Sequence, residues 1–153
     1  MICSRKRIWL CTALIVLCLC FIWGNSLLPG EVSASISDWV GDTLEQLLHI
    51  PHRTYPGRGL LRKLAHFTEF AVLGMLLTWL TGMRRKPIWL AQLLGSLAAC
   101  ADETIQCFVP GRGPGLRDVC IDSCGVFTGM IIIYFGYSWF IRRRPHTLGG
   151  TET

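Results

Sequence analysis

The sequence predicts an all-α, polytopic membrane protein, with four transmembrane helices and one amphipathic helix outside the membrane, in a single domain over residues 1–153. Composition is the first sign. The 153 residues are 51% hydrophobic and 16% charged, whereas a soluble domain carries about 25% charged residues. The second is four long apolar runs, each near the ~20 residues that cross a bilayer core. The third is the basic triplets Arg5-Lys6-Arg7, Arg84-Arg85-Lys86 and Arg142-Arg143-Arg144 at the ends of those runs. Triplets so placed set membrane topology. The net charge of +5 does not point to nucleic acid, because no basic patch on one folded face accompanies it.

The runs cover about residues 8–28, 64–83, 87–109 and 119–141. Only helices and closed barrels satisfy every backbone group in lipid, and runs this continuous mean helices. A cleaved signal peptide competes for the first run, with "VSA" at 32–34 as the cleavage site. The run is long for a signal core and the site lies far beyond its end, so a retained helix is expected. If positive charge stays inside, both termini and the turn at 84–86 are cytoplasmic, and residues 29–62 and 110–118 lie outside. The outer connections also carry Arg53, Arg58, Arg62, Lys63, Arg112 and Arg117, so the charge rule is not clean. Within the first outer loop, Ile36, Trp39, Val40, Leu44, Leu47 and Leu48 recur at helical spacing opposite Asp38, Asp42, Glu45 and Gln46. This predicts an amphipathic helix over about 36–50, started by Ser35 with Asp38 reaching back. Such a helix suits either the membrane surface or the mouth of the bundle. "IPHRTYPGRG" after it is breaker-rich and irregular.

The eight cysteines form neither a CxxC nor a Cys/His pair at zinc spacing. A Cys107–Cys120 disulfide is conceivable in an oxidising compartment, but buried, inert thiols are expected.

The polar residues inside the runs carry the functional signal. Counted from Lys86 at 1.5 Å per residue, Asp102 stands about 24 Å above the inner surface. Counted from Arg84, His66 stands at about 27 Å and Glu69 at about 22 Å. Asp122 stands about 30 Å from Arg142. Three helices therefore bring their polar groups to one height. Lys63, His66 and Phe70 share a face of the second run; Gln106 is one turn above Asp102 and beside Glu103. On the fourth run, Asp118, Asp122, Gly125, Gly129 and Gly136 form one stripe. Gly125 and Gly129 there are expected to admit a neighbouring helix closely. "PGRGPGLRD" between the third and fourth runs is a tight outer turn that holds Arg112 and Arg117 above the acids. Each intramembrane charge costs at least ~2.5–3.5 kcal/mol on insertion scales, which calls for more than packing. Asp102 and Glu103 are expected to divide roles. Glu103 should pair with Arg112 or Lys63, and Asp102 should line a cavity with His66 and Gln106.

"KLAHFTEF" at 63–70, "DETIQCFVPGR" at 102–112 and "RDVCIDSCGVFTG" at 117–129 resemble the VanZ-like family of small bacterial membrane proteins. Lys63, His66, Phe67, Glu69, Asp102, Glu103, Gln106, Phe108, Pro110, Arg112, Asp118, Asp122, Gly125 and Gly129 match its pattern, over about residues 60–130. Phe70 stands where tyrosine is common in the family, which removes a hydroxyl. The resemblance implies a multi-pass protein of the bacterial plasma membrane. It also implies a link to teicoplanin-type glycopeptide susceptibility, the property for which the family is named.

The leading expectation is an outer-leaflet polar cavity that binds a membrane lipid or lipid-linked envelope precursor. Lys63, His66, Arg112 and Arg117 would meet its phosphate or carboxylate. Glu69, Asp102, Glu103, Gln106, Asp118 and Asp122 would orient those cations or bind the rest of the head group. An apolar cleft between the second and fourth runs would take the tail. An intramembrane metal-dependent hydrolase is the alternative, since His66, Glu69, Asp102, Glu103, Asp118 and Asp122 are enough donors for a divalent ion. Against it, Ser123 and Thr104 lack a paired base, and neither a cofactor nor a metal is expected, nor is any catalytic residue assigned. A scaffold whose charges fix helix register is a third reading. A proton-coupled carrier is disfavoured because no repeat or midplane acid suggests alternating access.

Overall fold

The computed structural model describes residues 5–49, 58–113 and 115–142. They form five helices in the order α1 (Arg5–Ser26), α2 (Gly30–Leu48), α3 (Arg58–Met83), α4 (Trp89–Gln106) and α5 (Leu116–Arg142). No strand occurs among the described residues. Three helices are long and apolar enough to cross a membrane: α1, α3 over Gly59–Met83 and α5 over Leu116–Gly136. Only 17%, 39% and 22% of their most apolar windows are buried in the protein. Trp9, Leu17, Phe21, Trp79, Ile132 and Phe135 all stand exposed. An apolar surface of that extent requires lipid around it. α4 falls short because its 18 residues end in Asp102, Glu103 and Gln106.

Antiparallel and parallel packing bring chosen ends together. Cys11 donates to the Leu76 carbonyl and Asn25 meets Glu69, so α1 runs against α3. Lys63 pairs with Asp118 near the starts of α3 and α5, so those two run the same way. Gln106, at the end of α4, meets Ser26 and Arg62. The end of α1, the start of α3, the end of α4 and the start of α5 therefore share one end of the bundle. Arg5 and Arg84 lie together at the other. The core between them is built from Ile15, Ile22, Phe70, Leu73, Leu77, Ala99 and Val126.

The α3–α5 seam is the closest contact, and glycine makes it. A Cβ at Gly129 would strike the Ala71 carbonyl, and one at Gly125 would lie 2.5 Å from the Phe67 carbonyl. Gly74 of α3 meets the Val126 backbone in the same way. Side chains there would hold the backbones apart. Gly136 has nothing within 4 Å, so the packed part of the expected stripe stops at Gly129. The cleft expected between these helices for a lipid tail is closed by this seam.

α2 begins near Gly30, earlier than the start expected near residue 36. Ser35 is therefore inside the helix, where its hydroxyl donates to the Glu31 carbonyl instead of capping. The start is fixed from outside: the Gly30 amide donates to the Pro110 carbonyl at 3.1 Å. Gly111, with φ +72, approaches Gly30 too closely for a Cβ. Ile36, Trp39, Val40 and Leu47 remain exposed, and Gly41 is the point at which α2 meets Leu61. The "VSA" stretch lies within this helix. Most of "IPHRTYPGRG", the end of the expected 36–50 helix, Pro114 and the last two residues of the third basic triplet lie outside the described residues. Cys100, Cys107, Cys120 and Cys124 are free and exposed on the bundle, which corrects the expectation that they are buried within it.

Candidate functional site

α3 supplies Arg62, Lys63 and His66 on one face at helical spacing, α4 supplies Glu103 and Gln106, and α5 supplies Asp118 and Asp122. These seven side chains, with Gly59, Gly113 and Ile121, line a cavity of about 100 Å³ at the shared end of the bundle. Water occupies ~30 Å³ per molecule in the liquid, so this space suits an ion or the charged end of a head group. Burial increases inward. Lys63 and Asp118 form a half-exposed ion pair at 3.5 Å, whereas Asp122 is 1% exposed and Asp102, behind the wall, is fully buried.

Gln106 organises the interior. Arg62 donates to its carbonyl at 2.8 Å, and its amide donates to Asp102 Oδ2 at 2.8 Å and to the Ser26 hydroxyl at 3.2 Å. His66 Nδ1 lies 3.8 Å from Asp102 Oδ2. His66, Asp102 and Asp122 each offer one donor atom within 4.8 Å of the others. Asp102 thus adjoins both His66 and Gln106, but it stands behind the cavity wall, and Glu103, expected only as a structural pair, lines the cavity in its place.

Four expected partners are arranged differently. Glu103 pairs with neither Arg112 nor Lys63. Its Oε2 accepts from the Gly115 amide at 2.9 Å and so pins the α4–α5 turn. Lys63 takes Asp118 instead. Glu69 turns from the cavity toward α1, where Asn25 Nδ2 donates to it at 3.0 Å. Arg112 donates to the Leu28 and Asn25 carbonyls at 3.0 and 2.7 Å, just past and within the last turn of α1, where the Asn25 oxygen also accepts from the Leu28 amide. Burial lowers its pKa and the Arg62 charge lowers it further, while Asp102, Glu103 and Glu69 act the other way; a guanidinium stays charged throughout. Arg117 is exposed and does not line the cavity. Arg62, Asn25 and Ser26 were absent from the expected site. Arg62 sits one turn before His66, and "NS" closes an otherwise apolar run; those were the signals available.

Arg112 gives a direct prediction. Lysine keeps the charge but not the fork that reaches two carbonyls, and hydrogen bonds to charged groups contribute ~1.5–3 kcal/mol each. Arg112→Lys should therefore lower the unfolding midpoint in detergent clearly. A midpoint equal to the parent's would mean that this arginine does not hold α1 to the turn.

Five packed helices, lipid-facing apolar surfaces and a polar cavity at one end define a small α-helical membrane protein. The model of the VanZ/LLP1 family matches residues 6–140, and the chain belongs to that family. No curated protein and no solved structure matches it.

Proposed function

We propose that the protein binds the anionic head group of an amphiphile, a membrane lipid or lipid-linked envelope precursor, from the outer leaflet. The observation that carries this is the cavity at one end of an otherwise apolar bundle, with Arg62 and Lys63 on its wall. These two replace Arg112 and Arg117 as the cations that face a ligand. Their charge-assisted hydrogen bonds suit a phosphate. The small volume admits the charged end of the molecule only. With the α3–α5 seam closed, the tail stays in lipid, along the side where Phe108 and Leu116 are 84% and 86% exposed.

In this reading α4 is a fourth spanning helix, with Leu93, Leu94 and Leu97 on its lipid side. Eighteen residues rise about 27 Å, and its acids are sheltered by protein. The basic end at Arg5 and Arg84 is then cytoplasmic and the cavity faces outward. α2 lies along the outer surface with Trp39 and Leu47 in the interface. The natural thiols Cys107 and Cys120, exposed near the cavity end, report on this. A membrane-impermeant maleimide should label them in intact cells. Labelling only after lysis would turn the cavity inward and remove the outer-leaflet ligand.

Head-group binding is tested by native mass spectrometry of the detergent-purified chain and the variant Arg62→Gln/Lys63→Gln. Loss of ~1.5–3 kcal/mol at each cation predicts at least a tenfold drop in retained anionic lipid. Undiminished retention would remove the proposal. The same variant should lose any shift in teicoplanin susceptibility that the parent confers. The hydrolase alternative has one supporting observation, the convergence of His66, Asp102 and Asp122. Thr104, by contrast, is exposed and bonds the Cys100 carbonyl of its own helix, so it offers no nucleophile to the cavity.

A further inference from the structure

We propose that His66, Asp102 and Asp122 form a divalent-cation site at the floor of the cavity, for a hard or borderline ion of the manganese type. Three helices, α3, α4 and α5, each contribute one donor, and the donor atoms lie within 4.8 Å of one another. Metal–donor bonds of about 2.1 Å put three ligands of one ion about 3–3.6 Å apart, so inward side-chain shifts within about 1 Å close the set. The second observation is independent of that clustering. His66 Nδ1, Asp102 Oδ1 and Asp122 Oδ2 are buried and have no hydrogen-bond partner, while Asp102 and Asp122 are 0% and 1% exposed. Buried polar atoms are almost always satisfied. Each of the three clustered residues thus carries a buried atom free to take a cation.

The surroundings fit. Gln106 donates to Asp102 Oδ2 at 2.8 Å and is itself held by Arg62, so one oxygen is fixed and the other is free. Outer partners of this kind orient metal ligands. One imidazole and two carboxylates match manganese or zinc better than a soft ion. If the head-group reading holds, the ion also relieves a conflict within it. Glu103, Asp118 and Asp122 line the cavity beside two cations and His66, and a divalent charge on the floor would let a phosphate approach those acids.

The test uses Mn²⁺, because the exposed thiols Cys100, Cys107, Cys120 and Cys124 would compete for zinc. The full chain, purified in detergent and stripped with EDTA, is titrated while electron paramagnetic resonance reads free Mn²⁺. One saturable site per chain is expected, together with a saturable rise in the unfolding midpoint. Gln106→Ala should weaken binding about 10–100-fold, and His66→Gln or Asp122→Asn should abolish it. Lys63→Gln removes an ammonium that pairs with Asp118 and not with a donor or with Gln106, so it should retain Mn²⁺ even if it binds less lipid, and the two proposals can fail separately. A folded parent without saturable Mn²⁺ uptake would overturn the site and leave water as the partner of these atoms. Uptake unchanged in both His66→Gln and Asp122→Asn would overturn it equally.

Discussion

Replacing Gly129 by leucine is expected to keep α3 and α5 from closing, and so to produce a large loss of folded protein. A Cβ at that position meets the Ala71 carbonyl and, at 2.8 Å, the Met75 amide nitrogen. Both obstacles are backbone, so no rotamer change relieves them, and the helices must move apart along their whole seam. Overpacking commonly costs ~1–3 kcal/mol and occasionally more; an obstacle that cannot rotate away puts this case at the upper end. Phe70, Leu73 and Val126, all fully buried, would lose packing with it. Gly136→Leu is the matched control, since nothing lies within 4 Å of that position. Folded yield and unfolding midpoint in detergent should collapse for Gly129→Leu and stay near the parent's for Gly136→Leu. Equal behaviour of the two would mean that the seam is not where α5 is held.

An effect at least as large is expected at Asp102. Alanine there removes the acceptor for the Gln106 amide and the neighbour of His66. Breaking a buried charge network by removing one partner typically costs ~3–5 kcal/mol, and the site lies at the junction of α1, α3 and α4. Asp102→Asn keeps an oxygen for Gln106 but loses the negative charge. It should fold and yet lose Mn²⁺ uptake. At Glu103 the pattern differs. Glu103→Ala leaves the part-buried Gly115 amide without its acceptor, at a cost near the lower end of the ~1–3 kcal/mol of a buried donor, whereas Glu103→Gln restores an acceptor and should recover most of that stability. Thermal unfolding and Mn²⁺ uptake measured on the four variants separate the roles. Equal destabilisation by both alanines, with uptake intact in Asp102→Asn, would reduce the two acids to one network that only fixes helix register.

The height of the site was legible in the sequence because a helix is a ruler. A fixed rise per residue, counted from basic triplets at a membrane surface, put His66, Asp102 and Asp122 at one level, and their donor atoms lie within 4.8 Å. The glycine seam was legible for the same reason, since Gly125 and Gly129 share a face at i and i+4. Pairing was not. Periodicity gives a residue's height and face on its own helix but not the rotation of the neighbouring helix. Glu69 therefore met Asn25 of α1, and Arg112 met carbonyls instead of an acid. Side-chain patterns also cannot announce a backbone partner, which is why the Gly115 amide at Glu103 and the Pro110 carbonyl at Gly30 were invisible. The start of α2 depended on that second contact, made by a turn some eighty residues away in the chain. The third run, 87–109, reads as spanning from its length, yet α4 is not among the helices apolar enough to cross a membrane, because Asp102, Glu103 and Gln106 fall inside it.

The central claim is that the cavity recognises a phosphate head group held at the membrane. It is tested most directly by competition between a polyprenyl phosphate and the polyprenol of the same chain length for the purified protein in detergent, with Mn²⁺ present. The two ligands share a tail and differ only in the group that Arg62 and Lys63 would contact. At ~1.5–3 kcal/mol for each charged hydrogen bond and 1.4 kcal/mol per tenfold, the phosphate should bind at least tenfold more tightly. That preference should vanish in Arg62→Gln/Lys63→Gln. Equal affinity of the parent for both ligands would show that only the tail is recognised, and would contradict the assignment of the cavity as a head-group site.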